Sequence, residues 1–535
     1  MYRYDRIKTK EELLLPLKIK MENNIDNADR LLVKREPVVS FKAENFTTFK
    51  GKGSYIVLDF GKEIAGGIRI ITRSTDKTAN VRLTFGESLS ECLSTVGKKN
   101  ATNDHSTRDF RAVIPFMSDL TFGQTGFRFV KIELSDNKTL TVQNIFAVSK
   151  TQEFDFEATI KTNDKDLNKI IDTAIYTLKL NFQNGFIWDG IKRDRLVWCG
   201  DLNQEIITSL YCFGNTDNIT NSLTFLKDDT NDGEWINAIP TYSAWWVINL
   251  IDYYRLSGDK EYFENNKGFA EAILKMVDDS ITDDGRMIFD KKAGMPFYLD
   301  WPTYEKEDAV IGTACVFLVA SKKFLELENN NSALSITKKL NCYLNKKSKY
   351  KQVTAFQILA GKKPTKDDLS LIEKNGAEGF STFMTYYLLT ALSELNSLNS
   401  IDIIKEYYGG MLSKGATTFW EDFDIKWMDN SSTLERLPSE NEKDIHADFG
   451  RYCYKKFRHS LCHGWSSGVV AFIIENIIGI KVFDGFKKVV VKPNLIGLKT
   501  INAVIPTPFG KLEININGKD VKINSPKEIK IVVKD

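Results

Sequence analysis

Asp164-Lys-Asp-Leu-Asn-Lys-Ile-Ile-Asp-Thr-Ala-Ile-Tyr-Thr-Leu178 is the stretch at which the periodicity of the chain changes. Its apolar residues Leu167, Ile170, Ile171, Ala174, Ile175 and Leu178 recur at the three- and four-residue spacing of a helix with one buried face. Upstream the period is two. Val81, Leu83 and Phe85 alternate with polar neighbours, and Phe127 to Leu134 is rich in aromatic and β-branched residues. Tyr55 to Phe60 and Ile68 to Thr72 read as strands flanking a glycine-rich turn, Gly61-Lys-Glu-Ile-Ala-Gly-Gly67. Several short strands with turn signals between them suggest a β-sandwich over residues 1–155. Downstream, helical stretches cover Ser243 to Leu256, Ala309 to Leu327 and Ser381 to Leu395. Successive helices over 156–478, joined by long loops bearing Trp, Gly and Asp, suggest an α/α toroid rather than a small bundle. Strand signals return in 479–535: Val489 to Val491 precede Pro493, Leu512, Ile514 and Ile516 alternate, and Asn517-Gly518 is a hairpin signal leading to Val521 and Ile523. A short C-terminal β-domain follows.

The 535 residues exceed what one hydrophobic core usually supports. Basic and acidic residues nearly cancel, 73 against 71, with no sustained basic block, which argues against a nucleic-acid partner. No apolar run reaches the roughly 18 residues of a membrane span, and Leu13 to Leu15 is too short for a signal-peptide core. The expectation is a cytoplasmic protein without a membrane partner, acting on substrates small enough to be imported, with homodimer formation left open. Cys92, Cys199, Cys212, Cys315, Cys342, Cys453 and Cys462 are scattered with no C-x-x-C pair, and read as reduced thiols. Four His and no cysteine cluster give no metal site and no cofactor.

Phe186 to Glu205 conflicts with its own composition. Phe186, Ile187, Trp188, Leu196, Val197 and Trp198 should be mostly buried, yet Asp189, Lys192, Arg193, Asp194, Arg195, Asp201 and Glu205 are threaded among them. A buried charge costs several kcal/mol unless it is paired or hydrogen-bonded. The segment is therefore either a structural salt-bridge network or a polar site opening to a ligand.

The same segment, Asp189-Gly-Ile-Lys-Arg-Asp-Arg-Leu-Val-Trp-Cys-Gly-Asp201, resembles a motif of glycoside hydrolase family 78, the α-L-rhamnosidases, of the form D-x-x-x-R-D-E-R-x-G-W-x-G-D, and is one residue shorter. Leu58-Asp-Phe-Gly-Lys-Glu-Ile-Ala-Gly-Gly67 is similar to the family's N-terminal sandwich. Gly415-Ala-Thr-Thr-Phe-Trp-Glu421 resembles its second catalytic motif, G-A-T-T-x-W-E, and Ser460-Leu-Cys-His463 the S-x-x-H that follows. All four occur in the family's order. The resemblance implies an inverting glycoside hydrolase releasing terminal α-L-rhamnose from small glycosides or oligosaccharides. The expected fold is multidomain, a central all-α (α/α)6 toroid-type catalytic domain flanked by N-terminal and C-terminal β-sandwich domains.

Aligned backward from Trp198 and Gly200-Asp201, the motif places Asp194 as general acid; aligned forward from Asp189, it loses the acid and leaves Glu205 to serve. The first alignment is preferred, since an Asp can make the same proton transfer if the backbone comes closer. The family position makes Glu421 the general base, with Asp422 and Asp424 its nearest competitors. Asp189, Arg193, Asp201, Glu205 and His463 are candidate sugar ligands through charge-assisted hydrogen bonds. Trp198 and Trp420 are candidate walls for a deoxy sugar, and Trp235, Asp300 and Trp301 candidate subsite residues. Ala101-Thr-Asn-Asp-His-Ser-Thr-Arg-Asp109 collects polar residues that could reach the catalytic rim or coordinate a cation, but reads better as a solvent loop. Two alternatives stand beside this reading: an inverting hydrolase or phosphorylase of another sugar, and a non-catalytic carbohydrate-binding protein.

Overall fold

A computed structural model describes every residue except 1, 43–44, 74–77, 304–306 and 535. The pivotal helix runs Lys165–Asn181. The Asp164 carboxylate caps it, accepting from the amides of Asp166 and Leu167, and all six periodic apolar residues are buried. Directly after it, Phe182–Gln183 pairs with Phe186–Ile187. The connecting Asn184-Gly185 has φ of 53° and 86°, the two left-handed residues that a tight hairpin demands. This hairpin turns the chain back at the entrance to the charged segment.

Among the described residues, ten further α-helices lie between Leu202 and Ser413, and a mixed helical run occupies Gly464–Ile477. Leu202–Cys212 packs on Pro240–Ser257, which packs on Glu307–Leu325, then Lys351–Leu359, then Thr385–Glu394, then Gly464–Ile477, which returns to Leu202–Cys212. Every residue of Leu202–Cys212 is buried, as expected of a helix surrounded by others. The intervening helices, such as Asp217–Asp228 and Lys260–Asp279, each bury only part of their surface.

The N-terminal region differs from the expected set of short strands. Tyr55–Thr72, Asp119–Leu134 and Thr139–Glu153 are long, 18, 16 and 15 residues, and pair antiparallel within a nine-stranded sheet. The strand Tyr55–Thr72 is continuous through Gly61–Gly67, so this stretch is a bend and not a turn. Its register shifts between Asp59 and Ile64 and again between Gly66 and Ile68. The glycines serve close backbone approach: a Cβ on Gly66 would lie 1.9 Å from the Val148 carbonyl oxygen. The bend faces the stretch Gly415 to Glu421. The Glu63 amide donates to Thr417 Oγ1 at 2.9 Å, and Tyr176 donates to the Glu63 carbonyl at 2.6 Å.

At the C-terminal end, Thr500–Thr507, Gly510–Asn517 and Asp520–Asn524 form an antiparallel sheet joined at its edge by Thr159–Thr162. A strand preceding the helices thus completes a sheet that follows them. Asn517 pairs with Asp520, so the two-residue loop is Gly518-Lys519, one residue later than the sequence signal, with Gly518 at φ 57°. A second small sheet joins Ile480–Phe483, Lys488–Val491 and Lys530–Val533. No helix among the described residues is long and apolar enough to cross a membrane.

Arg128, buried in the N-terminal sheet, fastens the sheet to the loop after Ser400–Ser413. Its guanidinium holds both Asp59 carboxylate oxygens at 2.8 and 3.0 Å, Glu435 at 2.9 Å and the Gly415 carbonyl at 3.2 Å. Arg128→Met leaves Asp59 charged and unpaired in the interior. Such a loss should cost about 3–5 kcal/mol, read as a lowered denaturation midpoint in urea.

Candidate functional site

The charged segment is a closed loop pinned by its own first residue. The Asp189 amide donates to the Leu196 carbonyl at 3.0 Å, and the Leu196 amide returns to Asp189 Oδ1 at 2.9 Å. Between them Asp194 and Arg195 both take left-handed φ, 58° and 55°. Consecutive non-glycine residues in that region cost energy and concentrate at sites the surrounding structure holds in place. The loop ends at Asp201, where Leu202–Cys212 begins. Gly200 is needed there because a Cβ would meet the Tyr242 ring at 2.6 Å.

Gly415 to Glu421 and Ser460 to Trp465 meet this loop from the other side. The Glu421 amide donates to the Ser460 carbonyl and the Ser460 amide to Glu421 Oε2, both at 3.0 Å. The Glu421 carbonyl accepts from Thr382 Oγ1 and Trp465 Nε1. Gly464 donates its amide to the Asp189 carbonyl at 2.7 Å and His463 to that of Phe419 at 3.0 Å.

Arg193 joins the two halves. It is buried, its Nε donates to the Arg458 carbonyl at 2.8 Å, its Nη1 lies 2.5 Å from Asp194 Oδ1 and its Nη2 donates to Glu421 Oε1. Burial pushes the Glu421 carboxyl upward, but the Arg193 charge, helped by His463 and the Arg193 hydrogen bond, outweighs it and holds Glu421 below the usual range. His463 Nε2 is 3.0 Å from Asp201 Oδ1. Burial opposes protonation of that ring, yet the Asp201 hydrogen bond and the carboxylates of Glu421, Asp201 and Asp189 raise it overall. Asp189, with burial as the main cause, is held well above the ordinary carboxyl range.

A second buried network backs the first, its acids coming from the turn and short helix Leu89–Leu93 that follow the strand Thr78–Gly86. Lys192 Nζ reaches Glu87 at 2.8 Å, Glu91 at 3.2 Å and the carbonyls of Phe457 and His459 at 3.1 and 2.5 Å. Glu87 accepts the Leu461 amide at 2.7 Å, and His446 is hydrogen-bonded with Ser88 at 2.8 Å and the His459 carbonyl at 3.0 Å. Glu87, Glu91 and His446 bring three ligand-type atoms within 4.8 Å of one another, and the Lys192 ammonium already occupies that cation position. The network fixes the backbone of 457–461, and thereby the Ser460 amide that holds Glu421.

Asp189, Arg193, Asp194, Asp201, Glu421 and His463 are thus assembled from three distant stretches. Glu205 is also close, next to Gly464, but is fully buried and both its oxygens lack a hydrogen-bond partner. Asp300 accepts from the Trp301 amide and Ser381 Oγ, and burial raises it to about 7. The Trp301 ring stacks on Tyr452 at 5.7 Å. Trp198 packs edge-on against Tyr242, and Trp420 is buried against Phe423 and His459. Trp235 packs on Phe289 within the helical core. The stretch 101–109 is not a plain solvent loop. His105 Nδ1 lies 3.5 Å from Asp194 Oδ1, Asp104 pairs with Arg458, and Ser106 Oγ donates to the Lys192 carbonyl at 2.6 Å. Sequence reasoning missed Tyr452, Trp465, Glu87 and Glu91, and held His105 only within a polar stretch it preferred to read as a solvent loop. Only Trp465, two residues after His463, carried a local signal.

Because the folded-state value of Glu421 is depressed, its ionised form contributes stability above the unfolded value of 4.5, and this is lost as pH falls through the depressed value. Glu421→Gln should therefore flatten the acid limb of a stability-versus-pH curve followed by thermal melting. Lys192→Met, which strands Glu87 and Glu91, should lower the melting temperature more than Lys275→Met, a surface pair partner.

Two family models match the chain, one described as the bacterial α-L-rhamnosidase concanavalin-like domain over residues 50–149, the other as the bacterial α-L-rhamnosidase 6 hairpin glycosidase domain over 155–330. An α-L-rhamnosidase of Alteromonas sp. (strain LOR) is 24% identical over 88% of this chain and 55% of its own length. The GH78 family rhamnosidase of Bacillus sp. GL1 superposes with a TM-score of 0.70 at 16% identity, over 94% of this chain and 56% of that one. A rhamnosidase from Klebsiella oxytoca, solved with rhamnose bound, gives 0.66 at 19% identity over 88% and 96%. The chain spans about half the length of the Alteromonas and Bacillus proteins. The two matched stretches together cover more than half of its residues, and the chain belongs to the glycoside hydrolase family 78 α-L-rhamnosidases.

Proposed function

We propose that the protein is an inverting glycoside hydrolase that removes terminal α-L-rhamnose from small glycosides or oligosaccharides, with Asp194 as general acid and Glu421 as general base. The observation that carries this reading is the single Arg193 guanidinium bound to both carboxyls. Inverting hydrolysis needs one carboxyl to protonate the leaving oxygen and a second, ionised, to take a proton from the attacking water on the opposite face. The depressed Glu421 suits the second role. Asp194 suits the first better than Glu205 does, because its side chain is 19% exposed while Glu205 is 0% exposed. A proton donor must reach the glycosidic oxygen.

In the reaction, Asp194 gives its proton to the glycosidic oxygen as the bond to the anomeric carbon breaks. Water attacks that carbon from the other side and loses a proton to Glu421, so the sugar leaves as the β-anomer. Asp189, whose Oδ1 is engaged by the Leu196 amide, offers its other carboxyl oxygen to a sugar hydroxyl. Asp201 and the His463 imidazole bind its neighbours. Trp301, Tyr452 and Trp198 offer apolar surface to the ring and its methyl group, with Asp300 beside them. The rhamnose in the Klebsiella oxytoca protein supports this choice of sugar. The reading extends to architecture. Six helical segments in a returning chain of contacts, with the remaining helices outside it, suit an (α/α)6 toroid over residues 156–478, flanked by β-domains at 1–155 and 479–535.

Wild-type protein given a chromogenic α-L-rhamnoside should release β-L-rhamnose first, as followed by NMR. Asp194→Asn and Glu421→Gln should each lower kcat/KM by about 10²–10⁴ with folding intact. Release unaffected by Asp194→Asn would remove that residue from the acid role, and no release from any glycoside in a panel would reject the enzymatic reading.

A further inference from the structure

A second cavity lies inside the helical ring, at the other ends of the helices that carry the carboxyl site. Its volume is about 580 Å³, enough for a mono- or disaccharide-sized molecule. Leu202–Cys212 presents Asp201 at its start and Tyr211 to this cavity near its end. Pro240–Ser257 likewise presents Asp252 and Arg255 from its last turns, and Glu307–Leu325 presents Lys323. The cavity opens to solvent past the exposed Glu394, Leu327 and Asp484.

Three features set this space apart from a packing gap. Glu475 is delivered into it by a π-helical turn, Ile473–Ile477, a geometry that recurs at functional sites. Its two oxygens accept from Tyr211 and Tyr386 hydroxyls at 3.0 and 2.7 Å. Asp252 is held by Lys323 and by Asn203 at 3.1 Å. The Arg255 side chain, by contrast, shows no hydrogen bond or close ion pair among the described residues, and its Nε is buried without a partner, although Asp252 and Glu475 attract its charge. A buried guanidinium N–H left without an acceptor beside two fixed carboxylates and two tyrosines is a poor structural device and a good ligand donor.

We infer that this cavity is a second binding site, for a neutral polyhydroxylated molecule of about sugar size, separate from the carboxyl site and independent of the reaction proposed there. The lining chooses the ligand class. Arg255 and the tyrosine hydroxyls donate, while Glu475 and Asp252 accept, and a hydroxyl is the neutral group that answers both. Anions are disfavoured by the carboxylates, by the acidic mouth and by the negative ends of the helices that converge there. Organic cations meet Arg255 and Lys323. Trp245, Phe356 and Tyr387 line the space with aromatic surface against which the C–H face of a polyol packs.

Hydrogen–deuterium exchange of the full chain, read by mass spectrometry, tests this with L-rhamnose, D-glucose and myo-inositol as probes and inorganic phosphate and spermidine as charged controls. At least one polyol should slow exchange locally in Tyr253–Leu256 and Ile473–Asp484. The effect should survive Arg193→Met, which disables the carboxyl site, and should need at least tenfold more ligand in Arg255→Met. Leu359→Trp, which fills the cavity and removes no charge, should abolish it, with both variants checked for a native melting transition. The proposal is overturned if polyols slow exchange nowhere in these segments or uniformly along the chain. It is equally overturned if both cavity variants respond like wild type, or if only phosphate or spermidine acts there. A protein that hydrolyses no rhamnoside yet shows the local protection would reject the proposed reaction and leave the second site standing.

Discussion

The guanidinium of Arg193 is the interaction on which the site depends. It is buried and cannot lose its proton, so the fold must supply carboxylates to meet it. It takes Asp194 from its own loop and Glu421 from 228 residues away. Glu421 has the complementary need, because its burial would resist ionisation without the guanidinium beside it. Charge balance thus brings a pair of carboxyls together and keeps one of them ionised. A hydrophobic contact could position those loops, but it could not set their protonation.

The same logic repeats one residue earlier and serves a different purpose. Lys192 is buried like Arg193 and points toward the turn and short helix after Thr78–Gly86, where Glu87 and Glu91 receive it. Through the Leu461 amide and the carbonyls of Phe457 and His459, this pair fixes the loop whose Ser460 amide grips Glu421. Adjacent basic residues therefore face opposite tasks, one toward Asp194 and Glu421 and one toward the scaffold. With Arg128 on the Gly415 carbonyl, they make the N-terminal sheet a structural part of the site and not an appendage.

Much of the fold was legible in local pattern. The helix Lys165–Asn181 and its cap, the alternation at Val81 to Phe85 and the C-terminal hairpin all follow from periodicity and turn chemistry. The failures have a common physical origin. Gly61–Gly67 carries turn residues yet continues a strand, because its glycines answer the approach of the Val148 carbonyl, a neighbour that no local window contains. Asn184-Gly185, a strong hairpin signal, was overshadowed by the apolar residues after it. Thr159–Thr162 is too short to declare its sheet, which is completed only by Thr500–Thr507.

For the site, the sequence by itself determined which residues were out of place: charges at Asp189, Arg193, Asp194 and Asp201 within an apolar run, and the motif at Gly415 to Glu421. Burial makes such charges expensive, so their presence signals partners even when the partners are unseen. Only the tertiary structure decided who those partners are. It set Arg193 between Asp194 and Glu421, sealed Glu205 away from solvent, placed Trp235 in the core against Phe289, and brought His105 and Glu87 from the N-terminal region to the charged loop. Electrostatic contacts act across a few ångströms of space without regard to distance along the chain, which is why composition revealed the need and only folding supplied the answer.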